Sequence, residues 1–196
     1  MMALTDWFSF KSPLALDGDR IRMRPPRAAD YAQWSALRMA SREFLQPWEP
    51  AWPADDLTRT AYYRRLSAYQ RELDLGLGYA FLVFRKADDA LVGGLSLSNV
   101  RRGVAMMGSI GYWCGAPFAR QGFTLAAVNC VTGFAFGALQ LHRLEAACVP
   151  ENEASRNLLL KAGFRQEGQA TAYLKINGVW RDHLIFGLVV GDRSNA

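Results

Sequence analysis

The stretch Tyr112-Trp113-Cys114-Gly115-Ala116-Pro117-Phe118-Ala119-Arg120-Gln121-Gly122-Phe123-Thr124 runs from a strand-like segment through a tight loop into a long apolar helical segment. The first turn of a helix carries amides with no internal partner, and the aligned peptide dipoles put partial positive charge there. Such a turn cradles anions, phosphates best of all. Gly122 would let the backbone approach a pyrophosphate with no Cβ in the way; Thr124 offers a hydroxyl and Arg120 a fixed positive charge. One glycine at a strand-to-helix turn is a weak signal by itself. A second cluster, Glu151-Asn152-Glu153-Ala154-Ser155-Arg156-Asn157 through Gly163-Phe164, follows a strand-like segment ending in Cys148-Val149-Pro150. There Asn152 or Glu151 can cap a short helix and Gly163 can end it in the left-handed conformation.

These groups need elements to hold them. Residues 20–24 alternate as a half-buried strand and are closed by Pro25-Pro26. Asp30 opens a helix with Tyr31, Trp34, Leu37 and Phe44 on one side, broken at Pro47-Trp48-Glu49-Pro50. Asp55-Asp56 is read as the cap of a second helix carrying Leu57, Ala61, Leu66, Tyr69 and Leu73, which ends at Gly76 and Gly78. The period then changes to two: Tyr79 to Arg85, Leu91 to Val100 and Met107 to Cys114 read as strands. A long helix, a strand at Arg143 to Val149 and a helix from about Asn152 to Ala162 follow. A terminal hairpin, Ala170 to Ile176 and Trp180 to Val189, turns at Asn177-Gly178. The order βααβββαβαββ describes a mixed α/β sandwich, and helix fills the crossover that a parallel pair of strands 107–114 and 143–149 requires.

Composition narrows the class. At 196 residues and 51% apolar, the chain suits one domain with a core that removes about 70% of its unfolded surface from water. Disorder, collagen and disulfide-scaffold classes are excluded. Cys114, Cys130 and Cys148 form no CxxC pair and have only His142 and His183 as imidazole companions, so neither a zinc site nor a disulfide framework is expected. Free cysteines suit a reducing cytoplasm. Residues 1–6 lack the basic-then-apolar pattern of a signal peptide. Phe123 to Leu141 is 19 residues without a charge, but Asn129, Gly133, Phe136 or Gly137, and Gln140 draw a thin polar stripe, so it reads as a buried helix with one wet edge and the protein as soluble. The net charge of +5 is spread along the chain, suiting an anionic small ligand as well as nucleic acid.

The two clusters, in this order and with a strand and helix between them, resemble the GNAT superfamily of acyl-CoA-dependent N-acyltransferases. Leu45-Gln46-Pro47-Trp48-Glu49-Pro50, Leu97-Ser98-Asn99-Val100-Arg101-Arg102-Gly103, Leu141-His142-Arg143 and Tyr173-Leu174-Lys175-Ile176-Asn177-Gly178-Val179-Trp180-Arg181-Asp182-His183 look like its RimJ/RimL branch, which acetylates amino-terminal residues of ribosomal proteins. The likeness covers about residues 18 to 188. It implies a single domain over 1–196 with a central, mostly antiparallel sheet, a splayed parallel pair and flanking helices. It implies acetyl-CoA as acyl donor, no metal, and a ribosomal-protein N-terminus such as alanine as acceptor. The loop departs from the family pattern at Ala119 and Thr124, and Leu159 stands where many relatives carry a tyrosine acid.

Under this resemblance the cofactor-binding residues are Trp113, Cys114, Arg120, Gln121, Gly122, Phe123, Thr124, Asn152 and Ser155. The free strand edges would bond the pantetheine arm as a peptide adds to a sheet. Ser155 is the candidate donor to the leaving sulfur. Glu49, aimed by Pro47 and Pro50, is the candidate base or ammonium-binding group. Trp48, Tyr79 and Asn99 are candidates for holding the acceptor. Cys148 lies close to the expected thioester, but direct attack in a ternary complex is preferred to an acetyl-cysteine step because no evident base activates the thiol. His183 reads as a core histidine and His142 as a helix-terminal base. A small-amine acetyltransferase and a non-catalytic acyl-CoA-binding or ribosome-assembly factor remain the alternatives, and the assembly, monomer or homodimer, stays open.

Overall fold

Alternating side chains decide how the sheet is dressed. In the computed structural model, which describes residues 14–192, Tyr79, Phe81 and Val83 join the larger core while Leu82 and Phe84 point into a smaller one on the opposite face. The strands are β1 (Leu16–Asp17), β2 (Ile21–Arg24), β3 (Tyr79–Arg85), β4 (Leu91–Arg101), β5 (Met107–Cys114), β6 (Arg143–Cys148), β7 (Arg165–Ile176) and β8 (Val179–Val189). They form one sheet in the order β1-β2-β3-β4-β5-β6-β8-β7, antiparallel except for β5 beside β6. Helices α1 (Tyr31–Ala40), α2 (Arg42–Leu45) and α3 (Arg59–Asp74) lie N-terminal to β3. Trp34 of α1 and Tyr62 of α3 cover Leu82, Phe84 and Leu91 on one face. Helix α4 (Phe123–Gly137) is the β5-to-β6 crossover and covers the other face with Phe123, Ala127, Val128, Val131 and Phe134; α5 (Glu153–Lys161) follows β6.

The mixed, mostly antiparallel sheet that the resemblance implies is present, with three departures from the elements read off the sequence. The first helix breaks at Ser41, whose hydroxyl accepts from the Ala116 amide at 2.9 Å, and Phe44 beyond the break is exposed. Asp55 and Asp56 lie in successive turns made by the Asp56 and Thr58 amides, and Thr58 caps α3 by accepting from the Ala61 amide at 3.2 Å. Asp56 is instead buried, paired with Arg65. The first hairpin arm starts at Arg165, earlier than its alternation shows, because register shifts at 166–168 and 170–174 interrupt the period. At the turn, Asn177 and Gly178 both have positive φ, 43° and 83°, as a tight hairpin of this handedness requires.

In α4, Gly133 and Gly137 are exposed beside seven buried residues, and Gln140 just past its end is exposed too, which is the wet edge expected of that segment. Among the described residues no helix is long and apolar enough to cross a membrane. Residues 1–6, read as lacking a signal peptide, lie outside the described residues.

Candidate functional site

The parallel pairing of β5 with β6 is short: Met107, Gly108 and Ser109 pair with Arg143, Leu144 and Glu145, and there it stops. Beyond that point β5 stays with β4 as far as Cys114 opposite Gly93, and β6 stays with β8 as far as Cys148 opposite Leu184. The facing edges of 110–114 and 146–148 are thus unpaired with each other and form a fork. Backbone groups at such an edge need partners, and an amide-rich linear ligand supplies them.

At the mouth of the fork, Arg120 and Gly122 take positive φ, 59° and 84°, and swing the chain into α4. The amides of Phe123, Thr124 and Leu125 then head the helix with no intrahelical acceptor. A Cβ on Gly122 would meet no protein atom within 4 Å, so open space lies over this turn. The side chains around it brace the loop. Gln121 Nε2 donates to the Pro117 carbonyl at 2.8 Å, and Arg20 Nη1 donates to the Gln121 carbonyl at 3.1 Å. The Phe123 ring is buried under the Arg20 guanidinium, 4.7 Å from its centroid, and against Phe118. The Cys114 thiol donates to the Gly115 carbonyl at 3.6 Å, and its pKa is pushed up by burial, against the influence of Thr124. Arg120 is exposed. These features fit a diphosphate held by backbone amides and a pantetheine arm along the fork.

Inside the fork, Asn152 caps α5 by accepting from the Ser155 amide at 3.0 Å. That bond turns the Ser155 side chain toward β5, and its Oγ lies 2.8 Å from the hydroxyl of Tyr112. Burial pushes the Cys148 thiol pKa up, and Ser155 acts on it in the opposite direction. Burial raises the Tyr112 phenol as well, against the Ser155 hydrogen bond. Three protic groups from β5, β6 and α5 therefore meet in the fork. Leu159, one turn further along α5, is fully buried in the core.

On the other face of β5, Gly111 and Trp113 border a cavity of about 560 Å³ that Trp34, Tyr62 and the loop 49–53 close. Glu49 stands in its wall, and a buried guanidinium fixes it. Arg38 of α1 donates to both carboxylate oxygens, Nη1 to Oε1 at 2.7 Å and Nη2 to Oε2 at 2.8 Å, and the Trp52 indole N–H donates to Oε2 at 2.8 Å. The Arg38 guanidinium is sandwiched by rings, 4.2 Å from the Trp52 centroid and 5.1 Å from that of Trp113, and its Nη2 reaches Asp56 at 4.0 Å. Trp113 in turn lies where a Cβ on Gly94 would go. The hairpin tip braces the same loop, since the Asn177 amide donates to the Glu49 carbonyl at 2.9 Å.

Of the acceptor residues expected from sequence, Glu49 lines the cavity, while Trp48, Tyr79 and Asn99 do not; Trp113, expected to touch the cofactor, lines it as well. Tyr79 points to the opposite face, its ring 5.2 Å from Phe134, because it shares the pleat of Phe81 and Val83. Asn99 is exposed at a register shift with φ 52°, and Trp48 is partly exposed at the end of a single turn of 3-10 helix. His183 is buried, with Nδ1 3.0 Å from the Arg181 carbonyl and its ring against Tyr173. Sequence reasoning missed Arg38, Trp52 and Tyr112. Arg38 lies eleven residues before Glu49 on a helix and Trp52 three residues after it in a loop, and no spacing marks them. Tyr112 was legible only as one more strand residue. Among the described residues no cluster of His, Cys, Asp or Glu could hold a metal.

The sequence profile of the acetyltransferase (GNAT) domain matches residues 20–165. A probable N-acetyltransferase of Bacillus subtilis (strain 168) is 34% identical over 177 residues, covering 90% of this chain and 98% of that relative. The ribosomal protein uS5-alanine N-acetyltransferase of Escherichia coli (strain K12) is 29% identical over 177 residues, covering 90% and 91%. The solved structure of Mycobacterium smegmatis RimJ in complex with CoA-disulfide superposes with a TM-score of 0.86 at 34% identity, covering 91% of this chain and 88% of that one.

Proposed function

The chain belongs to the acetyltransferase (GNAT) family and is an acetyl-CoA-dependent N-acetyltransferase, and from that premise we propose that its acceptor is the N-terminal amine of a ribosomal protein, with alanine as the first residue. The observation that carries this reading is the cavity of about 560 Å³ along β5, with a fixed carboxylate in its wall. It is large enough for the end of a polypeptide, and the named activity of the uS5-alanine relative supports the substrate class. A cytoplasmic location accords with such a substrate.

Bound acetyl-CoA supplies an acyl carbon activated by a thioester. The chain's own residues do the rest. The amides of 123–125 and the space over Gly122 hold the diphosphate, and the edges of 110–114 and 146–148 take the amide-rich arm. Glu49 positions the acceptor. A carboxylate has about four lone-pair sites; Arg38 and Trp52 occupy three, which leaves one on Oε1 for an N–H of the incoming amine. An α-amino group titrates near pH 8, roughly, so a neutral amine needs little help from a base. Ser155 holds a hydroxyl proton inside the fork, beside the position of the sulfur. Burial keeps the Cys148 thiol protonated near neutral pH, which supports direct attack over an acetyl-cysteine step.

Acetyl-CoA is incubated with Ala-initiated peptides from ribosomal proteins, and separately with free alanine and a polyamine, and thiol release is followed. Release with the peptides, together with a gain of one acetyl group at the N-terminus by mass spectrometry, is the expected result. Release with the small amines alone would replace the peptide reading with the small-amine one.

A further inference from the structure

The hydrogen bond between Tyr112 and Ser155 has a direction, and the direction matters. A serine hydroxyl has one proton and two lone pairs, as has a phenol. Ser155 is the one described hydrogen-bond partner of the Tyr112 hydroxyl, at 2.8 Å. Were Ser155 the donor, the phenol proton would be left without an acceptor at a partly buried site, and orphaned protons are costly there. With Tyr112 as donor both protons are satisfied. The phenol, the more acidic group, gives its proton to Ser155 Oγ, and the serine proton is free to face the sulfur of Cys148.

We propose that Tyr112 is a positioning residue: its phenol, reaching across the fork from β5, fixes the Ser155 hydroxyl so that the serine proton is presented to sulfur between β5 and β6. The inference rests on the reading of Ser155 as donor to the leaving thiol. Tyr112 keeps its own proton throughout, in accord with the burial that disfavours its phenolate. Without it, a serine in the first turn of a helix turns its hydroxyl back to a carbonyl of the preceding turn. That carbonyl would be Glu151 or Asn152, and the sulfur would lose its proton donor. In the unliganded protein Cys148 is the sulfur that senses the arrangement. The other ionisable groups acting on its thiol are Arg156 of α5 and Tyr112 of β5, and its neighbour on β8 is the uncharged Leu184.

The test compares Tyr112→Phe, Ser155→Ala and the double variant with the parent. In the unliganded proteins, iodoacetamide alkylation of the Cys148 peptide is followed by mass spectrometry across pH 7 to 10.5. The midpoint is expected to move upward in Tyr112→Phe and Ser155→Ala alike, and no further in the double variant. With acetyl-CoA and acceptor, kcat is expected to fall about tenfold in Tyr112→Phe, the loss typical of one hydrogen bond. The Kd for CoA should stay within about twofold, and the double variant should be no slower than Ser155→Ala. A Cys148 midpoint that stays put in Tyr112→Phe while moving in Ser155→Ala overturns the proposal, as do multiplicative losses in the double variant. The alkylation arm needs no turnover, so it stands whatever the acceptor proves to be. Ser155→Ala leaves the Tyr112 ring in place should Phe at 112 disturb folding.

Discussion

Replacing Arg38 with Met keeps most of the side-chain length and removes the guanidinium that organises the acceptor cavity. Two charge-assisted hydrogen bonds to Glu49 are lost, at 2.7 and 2.8 Å, as is the contact with Asp56 at 4.0 Å. The Arg38 side chain is 10% exposed and that of Glu49 19%, so the stranded carboxylate cannot hydrate fully. Removing one partner of a buried pair costs about 3–5 kcal/mol. Trp52 still donates to Glu49, and Arg65 still holds Asp56, so the lower end applies, about 3 kcal/mol. For a chain of this size each kcal/mol lowers Tm by roughly 2–4 °C, which gives a drop of about 6–12 °C. Glu49→Gln should cost less, about 1–2 kcal/mol, because the amide oxygen still accepts from Trp52. The combined variant should be more stable than the sum of the two losses predicts, by about 1.5 kcal/mol, since the stranded charge is gone. Thermal melts of the unliganded proteins read all three. The same variants should raise KM for the acceptor and leave KM for acetyl-CoA near the parent value, because the cavity and the turn proposed to hold the diphosphate are lined by different residues. A Tm drop below about 2 °C for Arg38→Met, or strictly additive losses, would refute the claim that this ion pair is what fixes Glu49.

Gly122→Ala should cost about 1 kcal/mol in folding for a φ of 84°, with no clash, yet weaken CoA by about tenfold in calorimetry, since the new methyl stands in the open space over the turn. Leu159→Tyr should lower stability by about 1–3 kcal/mol or more in urea titrations and leave kcat no higher, because that position is sealed in the core and a hydroxyl there reaches no substrate. Burial first, then the nearby Asp30 charge, raises the Tyr62 phenol above its ordinary value of 10.0. The folded state therefore holds that proton more tightly than the unfolded one, and the stability it gives is full below about pH 10 and lost as pH rises beyond. Urea midpoints at pH 9, 10 and 11 should fall more steeply for the parent than for Tyr62→Phe, by up to about 1.4 kcal/mol per pH unit. Equal slopes would contradict the assigned shift.

The two parts of the site were unequally legible in the sequence. The turn proposed to hold the diphosphate could be read because local chemistry makes it: a strand, a glycine that takes positive φ, and a helix start are adjacent in the chain. The α5 cap was legible for the same reason, since Asn152 and the Ser155 amide are three residues apart. The strands 79–85 and 107–114 declared themselves by period, and the parallel pairing of 107–114 with 143–149 followed from the helical crossover between them. The acceptor cavity was not legible. Glu49 could be picked out between its prolines, but what fixes it comes from α1 eleven residues earlier and from a ring three residues later. Tyr79 misled because an aromatic in a strand near a site has two faces to choose from, and its face is settled by Phe134 of a helix some 55 residues away, roughly.

The same contrast explains how the chain manages without a tyrosine on α5. Seven residues after the helix cap, Leu159 lies fully buried and α5 turns that face to the core, where a phenol would be an unpaired hydroxyl. Ser155 stands earlier on the helix, on the face that looks into the fork, but a serine alone has no fixed rotor and falls back on helix carbonyls. A tyrosine on β5 answers both constraints. Its ring packs against the larger core beside α4 and α5, and its hydroxyl arrives at the serine from across the gap that the end of β5–β6 pairing leaves open. The divergence of the two strands thus does two things at once. It frees backbone edges for a linear ligand, and it makes room for a side chain from one strand to set the proton of a residue that follows the other.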